Sequence, residues 1–135
     1  MNPLVAKLIA VLIIVETGGN SSAVGDGGRA RGVLQIHRAC WIDACEELGV
    51  DWDYERDSFD PVKSQAVCAA YLARWGRYYE RQTGQPATIE VFARIWNGGP
   101  SWTKEGTEGY WQRVKTALKE KGFAQAQPIA MLKSA

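Results

Sequence analysis

From Leu4 to Val15 the chain reads LVAKLIAVLIIV, with Lys7 as its one polar interruption. A helix that is apolar on every side belongs inside a protein, so the remaining chain must wrap around this segment. The run is too short to span a bilayer, and no small-residue cleavage site follows it. The reading is therefore a buried first helix, with Asn2 as N-cap and Pro3 in its first turn. Thr17-Gly18-Gly19 closes it, glycine offering the left-handed C-cap. Glu16 then lies in the last turn, among apolar neighbours and at the negative end of the helix dipole. Both surroundings disfavour a carboxylate charge and push its pKa up, which suits a proton-donating acid. The plain alternative is a capping glutamate, or one salt-bridged to Arg29 or Arg31.

Ten positions on, a second carboxylate, Asp26, sits in the Gly25-Asp26-Gly27-Gly28 run. That run signals a hairpin turn, where an aspartate ordinarily serves turn formation. An acid at a helix end and a carboxylate in a polar turn are also the pair used on glycosidic bonds. Gly32 to Ile36 reads as a strand or as the entry to the next helix. Within it Gln35 is either a ligand donor or a satisfied amide.

The remaining segments are helical. His37 to Leu48 carries apolar residues at helical spacing and is closed by Gly49. Val50 to Phe59 is an acidic loop. Asp60-Pro61 opens a long helix to about Gly84. Thr88 caps a shorter one, stopped by Asn97-Gly98-Gly99-Pro100. Ser101 to Gly106 reads as loop, Thr107 as the cap of the last clear helix, and 122–135 as a loose tail. The expectation is one domain over 1–135, α+β and mostly helical, with about five helices and a small β-hairpin excursion after the first.

Composition narrows the function. At 135 residues and a net charge of +1 there is no global pull toward nucleic acid or anionic membrane. The basic cluster Arg29, Arg31, His37 and Arg38 is local, and suits either an anionic substrate or solvent. One histidine and three cysteines make a zinc site improbable and allow at most one disulfide; free buried thiols are expected at Cys40, Cys45 and Cys68. No cofactor and no metal are expected. Six Trp and five Tyr serve the core or form platforms on which sugars stack.

ETGGN followed by GDGGRARGVLQI resembles the signature of lysozyme-like enzymes, both invertebrate-type (destabilase-type) lysozymes and the soluble lytic transglycosylase catalytic domain. WIDA at 41–44, ARIWNGGP at 93–100 and TEGYWQRV at 107–114 are similar to invertebrate-type segments in the same order. The resemblance covers roughly Leu4 to Leu118. It implies the lysozyme fold and cleavage of the β-1,4 bond between N-acetylmuramic acid and N-acetylglucosamine. Glu16 falls on the family's catalytic acid. Asp26 falls on the second carboxylate of the invertebrate type, with a one-residue gap before Gln35. Gln35 and Asn97 fall on cleft segments, with Trp96 and Gly98 beside Asn97, and Tyr71 matches a cleft tyrosine.

Two departures stand out. Invertebrate-type members are dense in disulfides and often basic; this chain is neither, which fits a bacterial or phage member. No nucleophile for an isopeptidase activity is apparent. The implied partner is the peptidoglycan glycan strand, met by a monomer at the cell wall, periplasmic or extracellular, without nucleic acid or an integral membrane segment. The competing readings are a lytic transglycosylase that needs Glu16 alone, and a non-catalytic peptidoglycan-binding protein that needs the aromatics but not Glu16.

Overall fold

The computed structural model describes residues 1–123. Its elements are α1 (Pro3–Glu16), β1 (Val24–Gly25), β2 (Ala30–Arg31), α2 (Arg38–Leu48), α3 (Tyr54–Asp57), α4 (Pro61–Thr83), α5 (Ile89–Gly98) and α6 (Lys104–Glu120). The fold is α+β and mostly helical, with one small antiparallel sheet after the first helix.

The central helix starts where its caps allow. Asn2 Oδ1 accepts from the Leu4 N–H at 2.8 Å, and Pro3 takes the first helical position. Val5, Leu8, Ile9, Val11 and Leu12 are buried, each worth about 1.5–3 kcal/mol by removal from water. They pack against α6, α4 and α5. Burial is not complete around the axis, however. Ile14 is 44% exposed, and Lys7 reaches the Phe123 ring. The helix ends at Thr17, whose hydroxyl donates to Val33 O at 2.8 Å and so ties the helix end to the loop after β2.

The β excursion is short. Val24 pairs with Arg31 and Gly25 with Ala30, around a single 3-10 turn over Asp26–Gly28. Gly27 in that turn has φ 64°. Gly32 to Ile36 is neither strand nor helix but a chain of turns closed by one bridge between Arg31 and Ile36. Gly32 is the reason. Its φ is +76°, and a Cβ there would collide with Ser58 O, so only glycine fits.

Two further boundaries differ from the sequence reading. Part of the acidic loop is α3, because Asp53 caps it through the Arg56 N–H; this raises the count to six helices among the described residues. The last helix begins one turn early. Thr103, not Thr107, is its cap, accepting from the Gly106 N–H at 3.0 Å. Thr107 is buried inside the helix, donating to Thr103 O and accepting from Arg94. Arg94, 1% exposed, also bonds Lys104 O, Glu90 and Glu108, and so staples α5 to α6. A buried guanidinium needs that many partners. All three cysteines are free thiols; Cys45 and Cys68 are buried and Cys40 half-buried. Ion pairs Arg74–Asp43, Arg74–Glu46 and Arg77–Glu47 lie along the contact of α2 with α4. No helix among the described residues is long and apolar enough to cross a membrane. The tail expected over 122–135 lies, beyond Phe123, outside the described residues.

Candidate active site

A cleft of about 520 Å³ opens between the end of α1, the β excursion, the start of α2, the middle of α4 and the end of α5. Glu16, Asp26, Gln35, Tyr71, Trp96 and Asn97 all line it. Residues up to 83 positions apart in sequence, Glu16 and Gly99, thus meet at one surface. Gly98 does not line the cleft. It backs onto Thr107 and Trp102, where a Cβ would come within 2.9 Å of both side chains, and Gly99 takes the lining position.

Glu16 is half-buried, and its carboxyl is turned toward the core side of the cleft. The Tyr110 hydroxyl on α6 donates to its Oε2 at 2.8 Å. Burial raises its pKa above the ordinary value of 4.5. The Tyr110 hydrogen bond, the Arg113 guanidinium and the Trp96 indole pull the other way without cancelling it. Neither Arg29 nor Arg31 pairs with Glu16. Arg31 pairs with Glu55, and Arg29 Nε donates to Asp26 O.

Asp26 occupies the opposite wall and is more open, its side chain 54% exposed. Its φ is +49°, and Gln35 has φ +52°. These are the two non-glycine residues with positive φ among those described, and both line the cleft. Such strain persists only where the surroundings hold it, and it gathers at functional sites. The loop that holds it is anchored from beneath. The Tyr54 hydroxyl reaches Ile36 O at 2.6 Å and Arg29 O at 3.1 Å. The Gln35 side-chain amide donates to Ala23 O and Gly32 O, which ties the loop to itself and leaves Oε1 packed over Gly25.

Tyr71 and Trp96 form the aromatic end of the cleft, ring centroids 5.8 Å apart and edge to face. Burial pushes the Tyr71 hydroxyl up, so it stays a neutral donor. Asn97 is exposed beside them. Such a wall, apolar faces with a hydroxyl and an amide, suits a pyranose ring and its N-acetyl group.

Three contributors escaped sequence reasoning. Tyr110 reads as an inward-facing core residue, 94 positions from the carboxyl it touches. His37 reads as one of a basic cluster, yet it lines the cleft and places Nε2 3.4 Å from Asp26 Oδ2. Cys40 lines the cleft too, its thiol held neutral chiefly by burial. No group of three or more His, Cys, Asp or Glu among the described residues is placed to hold a metal ion.

The chain is similar to known proteins in sequence and in fold. The family model of the transglycosylase SLT domain matches residues 1–121. The chain is 42% identical over 85 residues to Lysozyme 1 of Crassostrea virginica, covering 62% of this chain and 42% of the oyster protein. It is 34% identical over 91 residues to the lysozyme of Meretrix lusoria, covering 66% of this chain and 68% of that one. The chain thus spans less than half the length of the oyster relative. A chain in the crystal structure of Aeromonas hydrophila PliI in complex with Meretrix lusoria lysozyme superposes with a TM-score of 0.71 at 25% identity, over 87% of this chain and 93% of that one. By the extent of the family match, and by a shared fold, this chain belongs to the transglycosylase SLT domain family within the lysozyme-like superfamily.

Proposed function

We propose that the protein is a muramidase, hydrolysing the β-1,4 bond between N-acetylmuramic acid and N-acetylglucosamine in peptidoglycan. The observation that carries the reading is the Glu16 carboxyl. It closes an apolar helix, is raised in pKa by burial, and faces a cleft with a second carboxylate on the far wall. Neutral Glu16 protonates the glycosidic oxygen as the bond to the anomeric carbon breaks. Positive charge then develops on that carbon and the ring oxygen. The exposed Asp26 carboxylate meets that charge, as nucleophile, as stabiliser, or as the base that activates water. Water then bonds to the anomeric carbon and gives up a proton. That proton goes to the ionised Glu16 where Asp26 is nucleophile or stabiliser, and to Asp26 where it is the base, exchange with solvent then restoring both groups. Tyr71, Trp96, Asn97 and Gly99 hold the sugars, with Gly98 packed behind them against Thr107 and Trp102. The protein works as a monomer at the cell wall, on glycan strands, with no cofactor.

A second reading is supported by one observation. The matching family model is that of transglycosylases, and such an enzyme uses Glu16 as acid and then as base. The sugar's own 6-hydroxyl closes on the anomeric carbon, giving a 1,6-anhydro product, and Asp26 is then only a turn residue. Mass spectrometry of muropeptides from purified peptidoglycan decides between the two. Hydrolysis leaves reducing muramic acid ends; a product lighter by one water overturns the hydrolase reading. A purely binding role predicts that Glu16→Gln keeps the full biological effect.

A further inference from the structure

We infer that His37 is a positioning residue for Asp26, and that the pair, rather than the carboxylate alone, forms the second wall of the cleft. The inference rests on the hydrolase reading above and deepens it. His37 is the only histidine in the chain. It stands at the N-cap of α2, with extended backbone (φ −83°, ψ 155°), yet its side chain makes no capping hydrogen bond. Ser, Thr, Asp or Asn would normally stabilise that end. The ring is turned away from the helix instead, into the cleft, with Nε2 3.4 Å from Asp26 Oδ2. A residue that forgoes its local role to face a carboxylate carried on strained backbone marks a place where site geometry outweighs local stability. Side chains of both are about half exposed, 51% and 54%, so the contact is not a by-product of core packing.

The surroundings leave this task to His37. Arg29 touches only the Asp26 main-chain oxygen. Arg31 and Arg38 both turn to Glu55. The other titratable groups on the cleft are Glu16, Cys40 and Tyr71. His37 is therefore the nitrogen-bearing side chain that meets the Asp26 carboxyl among the described residues. Through Nε2 it restricts the carboxylate's rotation while the sugar binds. At 3.4 Å the contact is longer than a short hydrogen bond and involves Oδ2, leaving Oδ1 for the substrate.

Two measurements test this. Kinetics on solubilised glycan strands come first, with His37→Ala, His37→Gln and Asp26→Asn. An exposed pair of this kind is worth a loss of about two- to fivefold in kcat for His37→Ala. KM should stay put, and His37→Gln, which keeps a donor in place, should recover part of the loss. In the Asp26→Asn background the His37→Ala loss should vanish. An equal loss in both backgrounds, or none in either, overturns the proposal. Wild-type turnover in Asp26→Asn removes it too, while leaving the Glu16 reading intact. The second measurement is the pair of ring-nitrogen resonances of the sole histidine, at a fixed pH near 6.5. Asp26→Asn should move these resonances, because the side chain 3.4 Å from Nε2 changes, and unmoved resonances mean that the two groups do not communicate. This readout needs no substrate, so absence of glycosidase activity sinks the functional reading while the coupling of the two side chains is still measured.

Discussion

Replacing Glu16 by glutamine separates what its environment costs from what it achieves. The carboxyl is raised above 4.5 because burial opposes its charge. Below pH 4.5 both folded and unfolded chains hold the proton, and no penalty exists. As pH climbs through the folded value, the folded state resists ionising and loses stability relative to the unfolded chain. Glu16→Gln should therefore unfold at a higher temperature than wild type at pH 7, and the gap should close at pH 4. Its glycosidase activity should fall by about 10²–10⁴, the usual share of a general acid. Calorimetry at the two pH values and a turbidity assay on cell walls check both halves. Gly32 makes the opposite kind of prediction. With φ +76° and Ser58 O in the way of any Cβ, Gly32→Ala should cost about 2–4 kcal/mol in denaturant titration. These two residues were unequally legible. Glu16 announces itself, because an apolar run ending in a carboxylate is visible in one dimension. The contact that fixes Gly32 depends on where Ser58 arrives, and no local pattern carries that.

Among the elements, the β excursion and α2 deliver the second wall of the cleft, and Tyr54 on α3 is their prop. Its hydroxyl serves Ile36 O and Arg29 O at once, under the loop that carries Asp26 and Gln35 in left-handed backbone. Tyr54→Phe keeps the ring and its edge-to-face contact with Trp41. It should cost about 1 kcal/mol in stability and lower kcat more than it changes KM, because the strained loop relaxes without the cleft's sugar-facing rings moving. Steady-state kinetics beside a urea titration check it. Helix caps were readable wherever the cap was the first polar residue before an apolar run, as at Asn2, Asp60 and Thr88. Thr103 was missed because Thr107 competes four residues later, and only the arrival of buried Arg94 shows that Thr107 is an interior residue. The helix α3 was hidden by its acidity. Its stability comes from Asp53 capping and Tyr54 burial rather than from an apolar stripe.

Across the whole molecule, carboxylates join elements that the apolar core alone leaves loosely oriented. Asp57 on α3 meets Lys63 on α4 at 3.1 Å, and the neighbouring Arg56 holds its carboxyl well below the ordinary 3.8. Glu108 on α6, bonded to Gln112 and to Arg94 of α5, is also lowered, from 4.5. Groups with depressed values stabilise the fold above their unfolded pKa and lose that contribution as pH falls through the folded one. The protein should therefore weaken progressively below about pH 4, and an Asp57→Asn, Glu108→Gln double variant should show a flatter acid limb. Urea midpoints at pH 7, 5 and 3 provide the comparison. The bond from Tyr110 to Glu16 spans 94 positions and has a temporal meaning. During synthesis the acid emerges 94 residues ahead of the hydroxyl that seats it. Until α6 leaves the ribosome, Glu16 sits on an uncovered helix, solvated like any other glutamate and a poor proton donor. On the muramidase reading proposed above, the chain should thus stay inert until α6 is made, and a fragment ending before α6 should be inactive in a turbidity assay on cell walls.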